Sequence, residues 1–299
     1  MPICAASPTR PRNFATKSTL PPPVGRYTAI SAARAALTGG TAAHATAEAR
    51  FRGLDELRYS LRAIEAHAPW LRHIWLVTDA QVPAWLRTDH PRLTVVDHRD
   101  IWVDPALLPV FNSHAIESQL HRIEGLAEHY VYVNDDVFLG RPLPPTTFFD
   151  SNGIARFYPS SAQVGIGPRH PDDPAPAAAA KNGRALLRES VGVSPSQKLI
   201  HVAHAQRRSV AYELAERFPD AYRQVAGSTF RSVQDISPVW LQVWYAQATG
   251  RAVASSLDYR YLDVVRPGAF RALKVLARRR DLDVFCLNQS EDSDVDPAR

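Results

Sequence analysis

The chain has 299 residues, 45% of them apolar, enough to bury the core of one large α/β domain or of a domain with insertions, and too many for wholesale disorder. Its 35 Lys and Arg against 30 Asp and Glu leave +5, too small a surplus for a nucleic-acid footprint, although the excess of arginine over lysine suits guanidinium forks on a phosphate-bearing small substrate. Two cysteines, Cys4 and Cys286, exclude a disulfide scaffold; no run of 18 apolar residues reads as a membrane span, and Met1 to Ala6 lack the order of a signal peptide, so the expected location is cytoplasmic, free or peripheral at the inner face of the membrane.

Residues 1–50, with Pro8, Pro11 and the Pro21-Pro22-Pro23 run, read as a disordered or weakly structured leader. From Phe51 onward, Leu57, Leu61 and Ile64 recur at helical spacing behind Asp55, and Pro69 marks the end of that helix. Residues 73–78 and 93–96 read as strands separated by a short helix or turn at 83–86, which suggests a parallel sheet. Residues 112–126 follow as a helix with Ser113 as N-cap and Ile116, Leu120 and Ile123 as its apolar stripe. On that helix Ser113, Glu117 and His121 fall four apart and share one face.

The next strand, 130–133, breaks into Asn134-Asp135-Asp136. In open α/β sheets the carboxyl ends of strands face the binding crevice. Two adjacent carboxylates repel there unless a hard cation holds both ionised; a surface turn in which Asn and Asp bond their own backbone is the bland alternative. Residues 159–180 read as an irregular lid or linker. Helices are expected at 181–189, 210–217, 240–246 (apolar and buried) and 272–280 (basic and amphipathic), with a strand at 283–287. His201 and His204 stand three apart, too few ligands for zinc alone; either suits a hydrogen bond to a phosphate or hydroxyl, or a core bond to a backbone carbonyl. Arg231 precedes a possible helix start with Asp235 in its first turn, where the guanidinium can fork onto phosphate or pair with the aspartate.

Taken together and in order, these segments resemble the Stealth family of bacterial capsular-polysaccharide hexose-1-phosphate transferases, which includes the catalytic subunit of the animal GlcNAc-1-phosphotransferase. The matching motifs are Glu56-Leu57-Arg58-Tyr59-Ser60-Leu61-Arg62, Ala68-Pro69-Trp70, Trp85-Leu86, Ala115-Ile116-Glu117, His121-Arg122-Ile123-Glu124-Gly125-Leu126 and Asn134-Asp135-Asp136; a second block holds His201, His204, Phe230 and Arg231, and a third is Phe285-Cys286-Leu287-Asn288. The resemblance implies a Stealth-like catalytic domain over 51–299, with a core block at 51–150, a second block at 181–250 and a C-terminal motif at 283–289. It implies a glycosyltransferase-A-like nucleotide-binding α/β fold with a largely parallel sheet and helical insertions.

The implied activity is transfer of a sugar-1-phosphate, such as GlcNAc-1-phosphate, from a UDP-sugar to a glycan hydroxyl with release of UMP, in capsular or cell-surface polysaccharide synthesis. Asp135, Asp136, His201, Ser113, Glu117 and Arg231 fall on the family's catalytic positions. Asp136 and Asn288 are the implied ligands of Mg²⁺ or Mn²⁺. Two departures accompany the match: the family's opening strand, of the type Asp-Val-Val-Tyr-Thr-Trp-Val, is not found between Met1 and Arg50, and Gln289 stands where an aspartate is usual. They motivate two rival expectations, a non-catalytic homologue that binds nucleotide sugar or glycan, and a glycosyltransferase that releases UDP.

Overall fold

The computed structural model describes residues 3–6 and 55–289. Its first strand, β1 (Ile3–Ala6), falls inside the segment expected to be an unstructured leader; the remainder of that leader lies outside the described residues. Helix α1 (Glu56–His67) buries Leu57, Ser60 and Ile64 on one face. Asp55 takes the N-cap position in the left-handed region, at φ 63°, without a side-chain cap, and Glu56 supplies the negative charge that favours a helix start. The helix closes at Ala68, because the residue before a proline is pushed out of the helical region.

Strands β2 (His73–Thr78) and β3 (Leu93–Asp97) stand where the periodicity places them. Asp97 caps the single turn α2 (His98–Ile101) in a reciprocal capping box with Asp100. The helix expected over 112–126 is not continuous. It is split into α3 (Ser113–Glu117), capped by Asn112 rather than Ser113, and a 3-10 turn at Leu120–Arg122. The Ser118 hydroxyl donates to the Ala115 carbonyl at 2.7 Å, competing with the helix ladder. Beyond it the buried residues Leu120, Ile123 and Leu126 recur every three positions, a spacing that a tighter turn keeps on one side.

Strands β4 (His129–Val133) and β5 (Val137–Leu139) flank the Asn134–Asp136 turn. The stretch 159–180, expected to be irregular, contains β7 (Pro159–Gln163), which follows the short β6 (Ala155–Phe157), and the first turns of α4 (Ala175–Val191). The alanine run has high helix propensity, and Pro176 is tolerated in the first turn. There follow β8 (Gln197–Leu199), β9 (His204–Arg207), α5 (Arg208–Arg217), α6 (Pro219–Ala226) and α7 (Pro238–Ala248). A Cβ at Gly183 of α4 would meet the Trp240 ring of α7 at 3.2 Å, so this glycine allows the two helices to approach. The chain ends, within the described residues, in β10 (Ala252–Ala254), β11 (Tyr259–Asp263), α8 (Ala269–Arg279) and β12 (Val284–Asn288).

The main sheet has the order β3-β2-β1-β4-β9. β2 and β3 are parallel, but β1 is antiparallel to both β2 and β4, and β9 is antiparallel to β4. The sheet is therefore mixed, not largely parallel, although β2, β3 and β4 share one direction and present their carboxyl ends on one edge. The fold is α/β with several small sheets. Side chains alternate across the main sheet as pleating requires. Ile74, Leu76, Val131 and Val133 join a core with α1, α4 and α7, while Trp75, Val77, Tyr130 and Tyr132 join a second core with Ile101, Trp102 and Leu120 on the other face. A second sheet, β11-β12-β5, continues from the Asn134–Asp136 turn, with β12 antiparallel to β5 and parallel to β11. No helix among the described residues is long and apolar enough to cross a membrane.

Candidate active site

The site forms where three distant segments meet the end of β4. Because β9 runs antiparallel to β4 with Tyr132 opposite His204, the residues just before β9 project past the β4 terminus. That register brings His201 to Asp136: Nε2 lies 3.0 Å from Oδ1 and 3.1 Å from Oδ2. β12 approaches from the other side, with Cys286 opposite Val137. The Leu287 amide donates to the Asp136 carbonyl at 3.0 Å, and the Cys286 thiol donates to Asp136 Oδ2 at 3.3 Å. The ligand-type atoms of Asp136, His201 and Cys286 lie within 4.8 Å of one another.

Burial pushes the Asp136 carboxyl up, but the hydrogen bond and charge of His201 outweigh it and hold the group below the usual carboxylate range. Burial likewise works against a charged His201, and the Asp136 bond and charge outweigh it, so the imidazole is raised. The Cys286 thiol is pushed far up by burial and then by the Asp136 charge, and stays protonated.

A row of close polar contacts leads from this cluster to α3. Asn134 Nδ2 is 3.4 Å from His201 Nε2, and the Tyr132 hydroxyl lies between Asn134 Oδ1, at 2.6 Å, and Glu117 Oε1, at 3.1 Å, either of which can accept its single hydrogen. Burial raises the Glu117 carboxyl to about 7, tempered by Arg231, Tyr132 and the Val239 backbone. The other end of α3 holds Arg231, whose Nη2 donates to Ser113 Oγ at 2.7 Å. Arg231 Nε is buried with no hydrogen-bond partner among the described residues, so the guanidinium keeps donor capacity for an anion.

Arg231 is held by a loop rather than by the helix start expected there. The buried Asp235 accepts from Asn112 Nδ2 at 2.8 Å, Ser228 Oγ at 2.6 Å and the Ser232 amide at 2.9 Å. The Phe111 amide donates to the Thr229 carbonyl, and Phe111 stacks on Phe230 with ring centroids 5.5 Å apart. The aspartate thus fastens the loop to the cap of α3, and the arginine turns to Ser113.

Asp136 touches His201 and Arg231 touches Ser113 directly, while Asn134 and Tyr132 stand between His201 and Glu117, so the five residues gather at one place. Asp135 sits beside Asp136 in the turn, and its charge reaches Cys286. Asn288 lies two residues beyond Cys286 on the same face of β12, paired with Asp263 across to β11; Cys286, rather than Asn288, makes the hydrogen bond to Asp136. His121 does not join Ser113 and Glu117. It is buried in the 3-10 turn, edge-on to Tyr212 at 4.5 Å, and burial lowers it to about 3. His204 is buried in β9 and lowered to about 3 by burial, then by His201, so the two histidines do not act as a pair. Sequence reasoning missed Tyr132 and Asn112. Tyr132 is one strand period before Asn134, the only signal that could have drawn attention to it.

Two regions of the chain match one protein family. Residues 50–157 match Stealth protein CR2, conserved region 2, and residues 200–248 match Stealth protein CR3, conserved region 3. The chain belongs to the Stealth family. Similar Stealth relatives include two proteins of Streptomyces coelicolor, each named exopolysaccharide phosphotransferase. One is 52% identical over 271 residues, covering 88% of this chain and 45% of the relative. The other is 49% identical over 253 residues, covering 84% and 42%. The exopolysaccharide phosphotransferase CpsY of Mycobacterium tuberculosis is 40% identical over 255 residues, covering 85% of this chain and 48% of CpsY. This Stealth chain thus spans less than half the length of these relatives. The two matched regions supply Ser113, Glu117 and the Asn134–Asp136 turn from one side and His201 and Arg231 from the other.

Proposed function

We propose that the chain transfers a sugar-1-phosphate, such as GlcNAc-1-phosphate, from a UDP-sugar to a glycan hydroxyl in the synthesis of a capsular or cell-surface polysaccharide. The observation that carries this reading is the assembly of the Asp136–His201 pair, Glu117 and Arg231 at one strand edge, in a chain similar to exopolysaccharide phosphotransferases. In this reaction the acceptor oxygen attacks the phosphorus that bears the sugar. The pyrophosphate P–O bond breaks, UMP leaves, and the acceptor proton passes to a base. Either His201, oriented by Asp136, or Asp135 takes that proton. Arg231, with Ser113 beside it, stabilises the diphosphate oxygens as charge builds on them.

A divalent cation fits the donor set. Asp136 offers a carboxylate, and Asn288 an amide oxygen from the face of β12 that Cys286 shares, both hard ligands suited to Mg²⁺ or Mn²⁺. Cys286 stays a protonated thiol and so presents a hydrogen rather than a soft thiolate. When bound, the cation would neutralise phosphoryl charge. Product analysis with a UDP-sugar, Mn²⁺ and a glycan acceptor tests the reading. Sugar-1-phosphate on the acceptor with UMP released supports it. Release of UDP indicates a glycosyltransferase, and binding of the donor without either product indicates a non-catalytic homologue.

A further inference from the structure

The sheet beside the Asp136 cluster carries a helix that the transfer chemistry does not use. α8 packs on β11, and its Ala269, Ala272, Leu273 and Leu276 are half-buried on one side. The opposite side is a ridge of exposed cations, Arg271, Lys274 and Arg278, flanked by Phe270 at 71% exposure and Val275 at 41%. Lys274 Nζ lies 4.4 Å from the centre of the Phe270 ring. Nearby, Arg266 is paired with Asp263 and Arg279 with Asp281. Among the described residues no carboxylate pairs with Arg271, Lys274 or Arg278. At 1.5 Å per residue they form a line of charge about 10 Å long.

A cavity of about 540 Å³ lies where the end of β11 turns into the start of α8, lined by Tyr261, Asp263, Arg266 and Ala272 among others. Tyr261 is 46% exposed and stands directly opposite Cys286 in the β11–β12 register, and Cys286 contacts Asp136. The cavity is therefore one strand away from the candidate catalytic cluster, and the cationic ridge lies on its far side.

We propose that this cavity and the outward ridge of α8 bind the glycan chain itself, as a polymer whose repeats are joined by phosphodiesters. The assignment rests on the function proposed above, in which such phosphodiesters are the bonds the reaction makes. Guanidinium and ammonium groups in a line complement a chain of phosphate anions, and the ring faces of Tyr261 and Phe270 suit the apolar faces of sugars. A bilayer surface fits less well. An interfacial helix sinks a continuous apolar face into the lipid, whereas the apolar stripe of α8 is turned to the protein body and cations form its outermost ridge.

The test measures binding of the whole chain to a phosphomannan, to neutral dextran of similar length and to phosphatidylglycerol vesicles, across a salt series. The wild type should bind phosphomannan and not dextran, with an affinity that falls as salt rises, and Arg271→Ala/Lys274→Ala/Arg278→Ala should both flatten that salt dependence and lower the affinity at least tenfold. Arg271→Lys/Arg278→Lys should retain most of the binding, and circular dichroism should show the alanine variant folded. Asp136→Asn should still bind, so that a missing transferase activity and a missing polymer surface give different results. Equal binding of dextran, equal binding by the alanine variant, or binding to vesicles alone would overturn the assignment.

Discussion

His201 Nε2 lies 3.0 Å from Asp136 Oδ1 although 65 positions separate the two residues in the chain. Asp136 is held below the ordinary carboxylate range and His201 above the ordinary imidazole range. The contribution of Asp136 to stability is present above its unfolded value, about 4, and lost as pH falls through its folded value. That of His201 is present below about 6.5 and lost as pH rises through its folded value. With divalent cations chelated, the difference in melting temperature between wild type and Asp136→Asn should be largest between about pH 4 and 6.5 and should narrow on both sides. A difference that does not change with pH would show that the contact is not an ion pair in solution.

Glu117 works in the opposite sense. Its carboxyl, raised to about 7 by burial, favours the folded state while protonated, and that advantage is lost as pH rises from the unfolded carboxylate value of about 4.3 through about 7. Glu117→Gln should therefore unfold like the wild type near pH 4 and become the more stable of the two above pH 7, by up to about 4 kcal/mol at 1.36 kcal/mol per unit. Denaturant unfolding at pH 4 and pH 8 checks this. Equal stability at pH 8 means that the carboxylate is satisfied in its ionised form.

The Tyr132 hydroxyl links Glu117 to Asn134 and helps to hold the Glu117 carboxyl down. Tyr132→Phe keeps the packed ring and removes that link, so stability should fall by about 1 kcal/mol. Turnover should drop by about tenfold or more, and any limb of the pH–rate profile set by Glu117 should move upward. An unchanged profile with reduced stability would assign Tyr132 to packing alone.

Asp235 accepts three hydrogen bonds inside the loop that carries Arg231. Asp235→Ala should leave one Asn112 amide hydrogen and the Ser232 amide without their acceptor, while Asn112 keeps the Ser228 carbonyl and the Ser228 hydroxyl keeps the Gln224 carbonyl, at a cost of about 1–3 kcal/mol for each group that water does not reach. Because the same loop aims Arg231 at Ser113, the variant should also bind UDP-sugar more weakly, as titration calorimetry at a temperature where it remains folded would show. Donor affinity equal to that of the wild type would separate the loop anchor from the candidate phosphate site.

Much of the local structure was legible in the residues because it depends on short-range regularities. The apolar spacing of Leu57 and Ile64 set α1, and Pro69 ended it; the apolar, β-branched and aromatic runs at 73–78 and 130–133 marked strands by their local composition. The Asn134–Asp136 turn could be placed at a strand end for the same reason. Tertiary structure decided the rest. Strand direction depends on which segments pair, and Ile3–Ala6 and His204–Arg207 both pair antiparallel to β4, which no local period encodes. The break between Glu117 and Leu120 came from a hydroxyl competing for a helix carbonyl and from a three-residue apolar spacing, and it removed His121 from the face shared with Ser113 and Glu117 on paper. Family motifs marked His201 and Arg231 as candidates, but only the β4–β9 register and the Asp235 anchor bring them beside Asp136 and Ser113, because contacts across such distances in sequence are set by strand pairing and buried hydrogen bonds.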